Sequence, residues 1–120
     1  MHQDISTASP ADRTLVDRYL TIRPGSGVAT RLIEVAGELD LASSNTLQEE
    51  LRRAEESGAT TIVVDLSGLR FIDSSGIMIL LRAAERSRDN GDRLRFLRGR
   101  GAVAHALELS GLDKELSFLD

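Results

Sequence analysis

The spacing of apolar residues along the chain predicts three helices. In the first of these segments Leu47, Leu51 and Ala54 recur at i, i+4 and i+7, which places them on one helix face opposite a face of Glu and Arg. The second segment carries its apolar residues at i, i+3, i+4 and i+7, which also places them on one helix face. The predicted helices cover residues 43 or 44 to 57, 75–87 and 102–109.

Between the helices, short runs rich in Val, Ile and Leu predict strands. The run Ile62-Val63-Val64 lacks polar alternation, which is typical of a strand covered on both faces. Strand–helix–strand connections require parallel pairing, whereas Pro24-Gly25-Ser26-Gly27 predicts a turn that joins the first two strands as an antiparallel hairpin. The predicted strands cover residues 15–22, 28–36, 60–66 and 94–97, and an edge strand over 116–119 would be the fifth.

These elements predict an α/β fold with a mixed sheet of about four to five strands and three to four helices. A chain of 120 residues with 41% apolar and 28% charged residues has the size and composition of one globular domain. We expect residues 1–13 to be a flexible lead-in, because they mix Ser, Thr, Asp and Pro without periodicity, and residues 14–120 to be the domain.

Composition excludes several classes of function. The chain has no Cys and only two His, which leaves no thiol chemistry and little for a metal site or a hydrolase. No apolar run has the length of a membrane span or of a signal peptide, so we expect a cytoplasmic protein that does not bind membranes. A net charge of −4 argues against direct nucleic-acid binding, and most arginines of the 82–100 segment alternate with core residues.

The segment Phe71-Ile72-Asp73-Ser74-Ser75-Gly76 opens the second predicted helix. Asp73 or Ser74 is expected to cap this helix by accepting a hydrogen bond from a backbone N–H of its first turn. Gly76 is expected to keep the surface there free of a side chain. On these residues alone, a helix cap is favoured over a functional site.

The context of this segment makes it more specific. It lies between Gly37-Glu38-Leu39-Asp40 upstream and Ser110-Gly111-Leu112 at the end of the third helix. In this order and spacing, the three segments resemble the STAS domain, and more narrowly the anti-sigma factor antagonists, over roughly residues 14–119. The resemblance implies a STAS-type mixed sheet and a protein that binds an anti-sigma factor.

The resemblance also implies a phosphorylation switch. In the family the first serine of the motif, here Ser74, is phosphorylated by an anti-sigma factor that is itself a serine kinase, and a phosphatase reverses the modification. Asp40 maps near the same surface, and Ser75 is the neighbour of the acceptor. The unphosphorylated form would bind the anti-sigma factor and free the sigma factor. The chain itself would be neither an enzyme nor a cofactor-binding protein.

Physical chemistry makes this placement reasonable. A phosphate on Ser74 would meet free N–H groups and the positive end of the helix dipole, so the fold should tolerate it. The carboxylates of Asp73 and, by resemblance, Asp40 would oppose the added charge. The expected partner-binding surface contains Asp40, Asp73, Ser75 and Gly76, together with Met78 and Ile79, which fall off the core stripe of the second helix.

Two other classes of protein remain open on the sequence. One is a STAS module without a sigma partner, in a stress-signalling assembly or a lipid-transport complex. The other is a small ligand-binding or enzymatic domain, for example a nucleotide binder. Against an enzyme, nothing in the spacing directs His105 at Ser74 as a base. An Asp65–Asp73 carboxylate pair comes with no glycine-rich phosphate loop.

Overall fold

The computed structural model describes residues 15–17, 20–24 and 29–119, so the predicted lead-in and the turn at 25–27 lie outside the described residues. The described part contains five strands in one sheet, three α-helices and a short 3₁₀ helix. Their bounds are β1 Leu15–Asp17, β2 Leu20–Pro24, β3 Thr30–Leu39, α1 Ser44–Glu56, β4 Thr61–Ile72, α2 Ser74–Asp89, β5 Leu94–Leu97, α3 Gly101–Ser110 and the 3₁₀ helix Leu112–Lys114.

The sheet is mixed, and its strands lie side by side in chain order. β1 and β2 pair antiparallel, as do β2 and β3, whereas β3, β4 and β5 are parallel to one another. The predicted change from antiparallel to parallel pairing is confirmed. The prediction of one strand over 15–22 was wrong, because two strands, β1 and β2, cover this segment and pair antiparallel. The apolar pattern of this segment suits one strand or two and does not encode the reversal.

β4 is the longest strand of the described residues, and it continues six residues beyond the predicted end at Leu66. Between the Glu34–Asp65 and Ala36–Gly68 pairs, β4 advances three residues while β3 advances two. A second extra residue of β4 lies between the Gly37–Leu69 and Glu38–Phe71 pairs. Such bulges bend a strand without ending it, so the polar and glycine residues that suggest a loop belong to the sheet.

The main core fills one face of the sheet. Ile33 of β3 and Val64 of β4 pair in register on this face, and both are fully buried. Leu47, Leu51 and Ala54 of α1 are buried in the same cluster, as their spacing predicts. All three residues of the Ile62-Val63-Val64 run are buried, in agreement with the prediction. On α2, Leu80, Ala83 and Ala84 are buried, whereas Ile77 and Leu81 pack only partly into the core.

The predicted edge strand over 116–119 is reduced to a single bridge beside β5. Gly111 ends α3 in the left-handed conformation, with φ 80°, and the chain continues as a 3₁₀ turn. Leu112 and Leu116 are both buried, and the Leu116 N–H donates to the Leu112 carbonyl at 3.2 Å. Their spacing is therefore that of a helical turn, and within residues 29–119 the pairing with β5 is limited to an isolated parallel bridge between Phe118 and Phe96.

Candidate functional site

Parallel pairing brings the ends of β3 and β4 to one edge of the sheet. Leu39 and Ile72 pair as the last residues of the two strands. The Asp73 N–H donates to the Leu39 carbonyl at 3.1 Å, which joins the two chain segments just beyond the sheet. The turn that follows β3 and the first turn of α2 therefore meet there, and this edge holds the residues that the motif singles out.

Asp73 is the N-cap of α2 and also fastens the neighbouring turn. One carboxylate oxygen, Oδ1, accepts from the N–H groups of Ser75 at 2.8 Å and Gly76 at 3.1 Å. The other oxygen, Oδ2, accepts from the Leu41 N–H at 3.2 Å. Of the two predicted caps, Asp73 is thus the one that acts. The side chain connects the helix to the turn after β3.

This cap corrects one expectation about the helix N-terminus. The amides of Ser75 and Gly76 are already held by Asp73, and the Ile77 N–H donates to the Asp73 carbonyl at 2.9 Å. The sequence suggested that the N–H groups of this turn would be free to bind a phosphate on Ser74. These three are not free, because each already donates to Asp73. A negative group placed there would face the Asp73 carboxylate and solvent.

Ser74 is the first residue of α2 and is exposed. Its hydroxyl makes no hydrogen bond to any other residue in the described part of the chain. A nucleophilic serine is normally hydrogen-bonded to a base that removes its proton. Ser74 instead presents a hydroxyl that an external enzyme could reach. Ser75 is partly buried beside it.

Asp40 lies in the turn between β3 and α1, one residue before Leu41. Its carboxylate Oδ1 accepts from the Ser43 N–H at 3.0 Å, and its carbonyl accepts from the Ser44 N–H at 2.8 Å. The buried Ser43 hydroxyl donates to the Glu38 carbonyl at 2.9 Å instead of capping α1. The turn is thus internally hydrogen-bonded, and Leu41 links it to Asp73. Asp40 lies at the same edge as Ser74, as the resemblance implied.

Gly76 lies beneath the expected surface and not on it, which corrects its predicted placement. It is buried, and a Cβ built on it would lie 2.7 Å from Leu39 Cγ and 2.8 Å from Ile72 Cγ1. The missing side chain therefore serves inward packing. It lets the first turn of α2 approach the last residues of β3 and β4.

Exposed apolar side chains accompany Ser74. Met78, one turn further along α2, is 44% exposed, whereas Ile79 is partly buried and packs against the core. Leu41 is 75% exposed and Phe71, near the end of β4, is 48% exposed. Sequence reasoning missed Leu41 and Phe71, because the apolar pattern places both near strand ends, where leucine and phenylalanine are normally buried. The only available signal for Leu41 was its position directly after Asp40.

The other candidate residues lie outside this edge. His105 is exposed on α3, and the Asp65 carboxylate accepts from the Ser67 N–H at 2.9 Å, which makes it part of the β4 bulge. Arg86 and Arg88 form ion pairs with Glu55 and Glu115. Among the described residues, no group of His, Asp and Glu is arranged to hold a metal ion, and no helix is long and apolar enough to cross a bilayer.

Comparison with known proteins agrees with this architecture. A family model described as "Mlab, STAS domain" matches residues 23–120, which is most of the chain. The chain belongs to the STAS domain family. The anti-sigma-F factor antagonist RsfB of Mycobacterium tuberculosis is 32% identical over 97 residues, which cover 79% of this chain and 75% of RsfB.

Solved structures share the fold. An anti-sigma factor antagonist from Mycobacterium paratuberculosis aligns with a TM-score of 0.71 and 24% identity over 82% of this chain and 84% of that one. The Bacillus cell fate determinant SpoIIAA, solved in its phosphorylated form, aligns with a TM-score of 0.62 and 21% identity over 82% of this chain and 91% of that one. The STAS-type sheet that the sequence motifs implied is thereby confirmed.

Proposed function

We propose that this protein is an anti-sigma factor antagonist that is switched by phosphorylation of Ser74. The observation that carries the proposal is the exposed Ser74 hydroxyl at the start of α2, which forms no hydrogen bond within the described residues and shares its edge with Asp73 and Asp40. The relationship to RsfB, whose name describes an antagonist of an anti-sigma factor, supports it. So does the existence of a phosphorylated form of SpoIIAA, which shares the fold.

In this proposal the unphosphorylated chain binds an anti-sigma factor in the cytoplasm and thereby releases a sigma factor. The anti-sigma factor is also a serine kinase. The γ-phosphoryl group of ATP moves to Ser74 Oγ, the bond to ADP breaks, and the hydroxyl proton passes to the kinase. A phosphatase hydrolyses the phosphoserine and restores binding. The chain is a substrate in both reactions and supplies no cofactor or catalytic base.

Electrostatics supplies the mechanism of the switch. A phosphoserine adds about −1.5 to −2 charges at neutral pH. Because the Asp73 carboxylate already accepts from the amides of Ser75 and Gly76, these two amides do not compensate the new charge. A partner docked on this edge would have to bury a dianion next to existing carboxylates. A cost of ~3 kcal/mol would weaken the complex more than a hundredfold.

The test is intact-mass analysis after incubation with ATP, Mg²⁺ and each serine-kinase anti-sigma factor encoded in the same genome. We expect one added phosphate on the wild-type chain and on Ser75→Ala, and none on Ser74→Ala. Ser75→Ala is the matched control, because it removes the neighbouring hydroxyl and keeps the Ser75 amide that Asp73 binds. Phosphate on Ser74→Ala would show that the acceptor was assigned wrongly.

Binding is then measured by calorimetry with the same anti-sigma factors. We expect Ser74→Glu and the phosphorylated chain to lose affinity more than about a hundredfold. Retention of wild-type affinity by the phosphorylated chain would contradict the switch. If none of the anti-sigma factors binds the wild-type chain, the protein has no sigma-related partner, and the proposal fails.

A further inference from the structure

Leu41 is presented to solvent by a turn that is held in place. It is 75% exposed, although its backbone N–H is bonded to Asp73 and the surrounding turn is closed by bonds from Ser43 and Ser44 to Asp40. The turn therefore holds the Leu41 backbone at the surface. Because the backbone of this turn is already ordered, burying Leu41 against a partner costs little backbone freedom, which favours its use as a contact.

A second exposed apolar side chain lies one helical turn from Ser74 on α2. Met78 follows Ser74 by four residues on α2, so both lie on the same helix face, and Met78 is 44% exposed. Leu41 is tied to Asp73, the residue directly before Ser74. Leu41, through the turn, and Met78, through the helix, are thus both connected to the first turn of α2, where Ser74 lies.

We propose that Leu41 and Met78 are the apolar anchors by which this protein binds its anti-sigma factor, an inference that rests on the function proposed above. The occupant is a surface of that kinase with apolar depressions for the two side chains. Basic side chains between the depressions would complement Asp40 and Asp73. Continuity with the Ser74 edge is the reason to assign this partner, because a kinase that modifies Ser74 must cover the groups beside it.

The anchors and the serine then have separate roles. Burial of the Leu41 and Met78 side chains provides affinity, and the charge on Ser74 determines whether the two surfaces can approach. Interfaces commonly concentrate their binding free energy in a few side chains that become fully desolvated. Truncation of either anchor to alanine is expected to weaken the complex roughly 10- to 100-fold.

The experiment measures the affinity of Leu41→Ala, Met78→Ala and Leu109→Ala for every purified serine-kinase anti-sigma factor from the same genome. Leu109 is the matched control, because it is a leucine with the same 75% exposure on α3. All three positions are exposed, so circular dichroism should show wild-type folding. We expect both anchor variants to bind more weakly and Leu109→Ala to bind as the wild type does.

Each outcome separates the anchors from the switch. Wild-type affinity of Leu41→Ala or Met78→Ala alongside weakened Ser74→Glu overturns the anchor assignment and leaves the proposed function standing. Weakened anchor variants alongside unaffected Ser74→Glu support the anchors and refute the switch. An equal loss in Leu109→Ala would refute a localised contact. If none of the kinases binds the wild-type chain, the proposed function and this inference both fail.

Discussion

Asp73→Asn is expected to detach the turn after β3 from α2 while it leaves the helix cap in place. Asparagine caps helices as well as aspartate does, so its side-chain oxygen can still accept from Ser75 and Gly76. The second oxygen becomes an NH₂ group, which cannot accept from the Leu41 N–H. Asp73→Ala removes both functions at once. The two variants therefore separate the cap from the connection to the turn.

The magnitudes follow from the hydrogen bonds of Asp73. Loss of the exposed Leu41 bond costs about 0.5–1.5 kcal/mol. Loss of the negative charge at the helix N-terminus adds about 0.3–1 kcal/mol. We therefore expect Asp73→Asn to lower the free energy of unfolding by about 1–2 kcal/mol. Asp73→Ala also loses the cap, typically about 1 kcal/mol, and should total about 2–3 kcal/mol.

Urea unfolding followed by circular dichroism measures the loss in the free energy of unfolding for each variant. Amide hydrogen exchange shows which hydrogen bonds are lost. The Leu41 amide should exchange faster in both variants, whereas the Ser75 and Gly76 amides should lose protection only in Asp73→Ala. Asp89→Asn is the control, because Asp89 is an exposed aspartate at the opposite end of α2. Equal destabilisation by Asn and Ala, with unchanged exchange at Leu41, would refute this account of Asp73.

Two further predictions concern packing and charge. Gly76→Ala should lower the free energy of unfolding by about 1–2 kcal/mol, because the clash with Leu39 at 2.7 Å outweighs the better helix propensity of alanine. A stability at or above wild type in urea unfolding would show that α2 can shift without cost. Glu55→Gln should lose about 0.5–1 kcal/mol with the two-point ion pair to Arg86, and less at about 1 M salt. Thermal melts at low and high salt check this, and a loss independent of salt would contradict an ionic origin.

The helices were predictable because their apolar spacing is set by one buried face. α1 and α3 differ from the predicted segments by one residue at each end at most. The strands were less predictable than the helices. β4 continues through Ser67 and Gly68 because Gly68 packs against Ala36, where a Cβ would be 3.0 Å from the Ala36 Cβ. That requirement belongs to the neighbouring strand, so a local reading of Ser-Gly as a loop could not detect it.

The contacts of the site that join residues close together in the chain were predictable. Asp73 could be expected to cap α2, since the cap depends on residues two and three positions along the chain. Its third hydrogen bond, to Leu41, joins residues 32 positions apart and exists only because β3 and β4 end together. The burial of Gly76 against Leu39 and Ile72 also depends on β3 and β4 ending together. Both are consequences of strand register, which the sequence pattern leaves undetermined.

The occupied amides at the start of α2 also help to determine whether phosphorylation would change the stability of the fold or the binding of the partner. Because the Asp73 carboxylate holds the Ser75 and Gly76 amides, a phosphoryl group on Ser74 would gain nothing from them and would stay hydrated. The two forms would then share the same hydrogen bonds at the start of α2, and the added charge would act chiefly on a docked partner. The protein could pass between them repeatedly, and the partner alone would determine the size of the response.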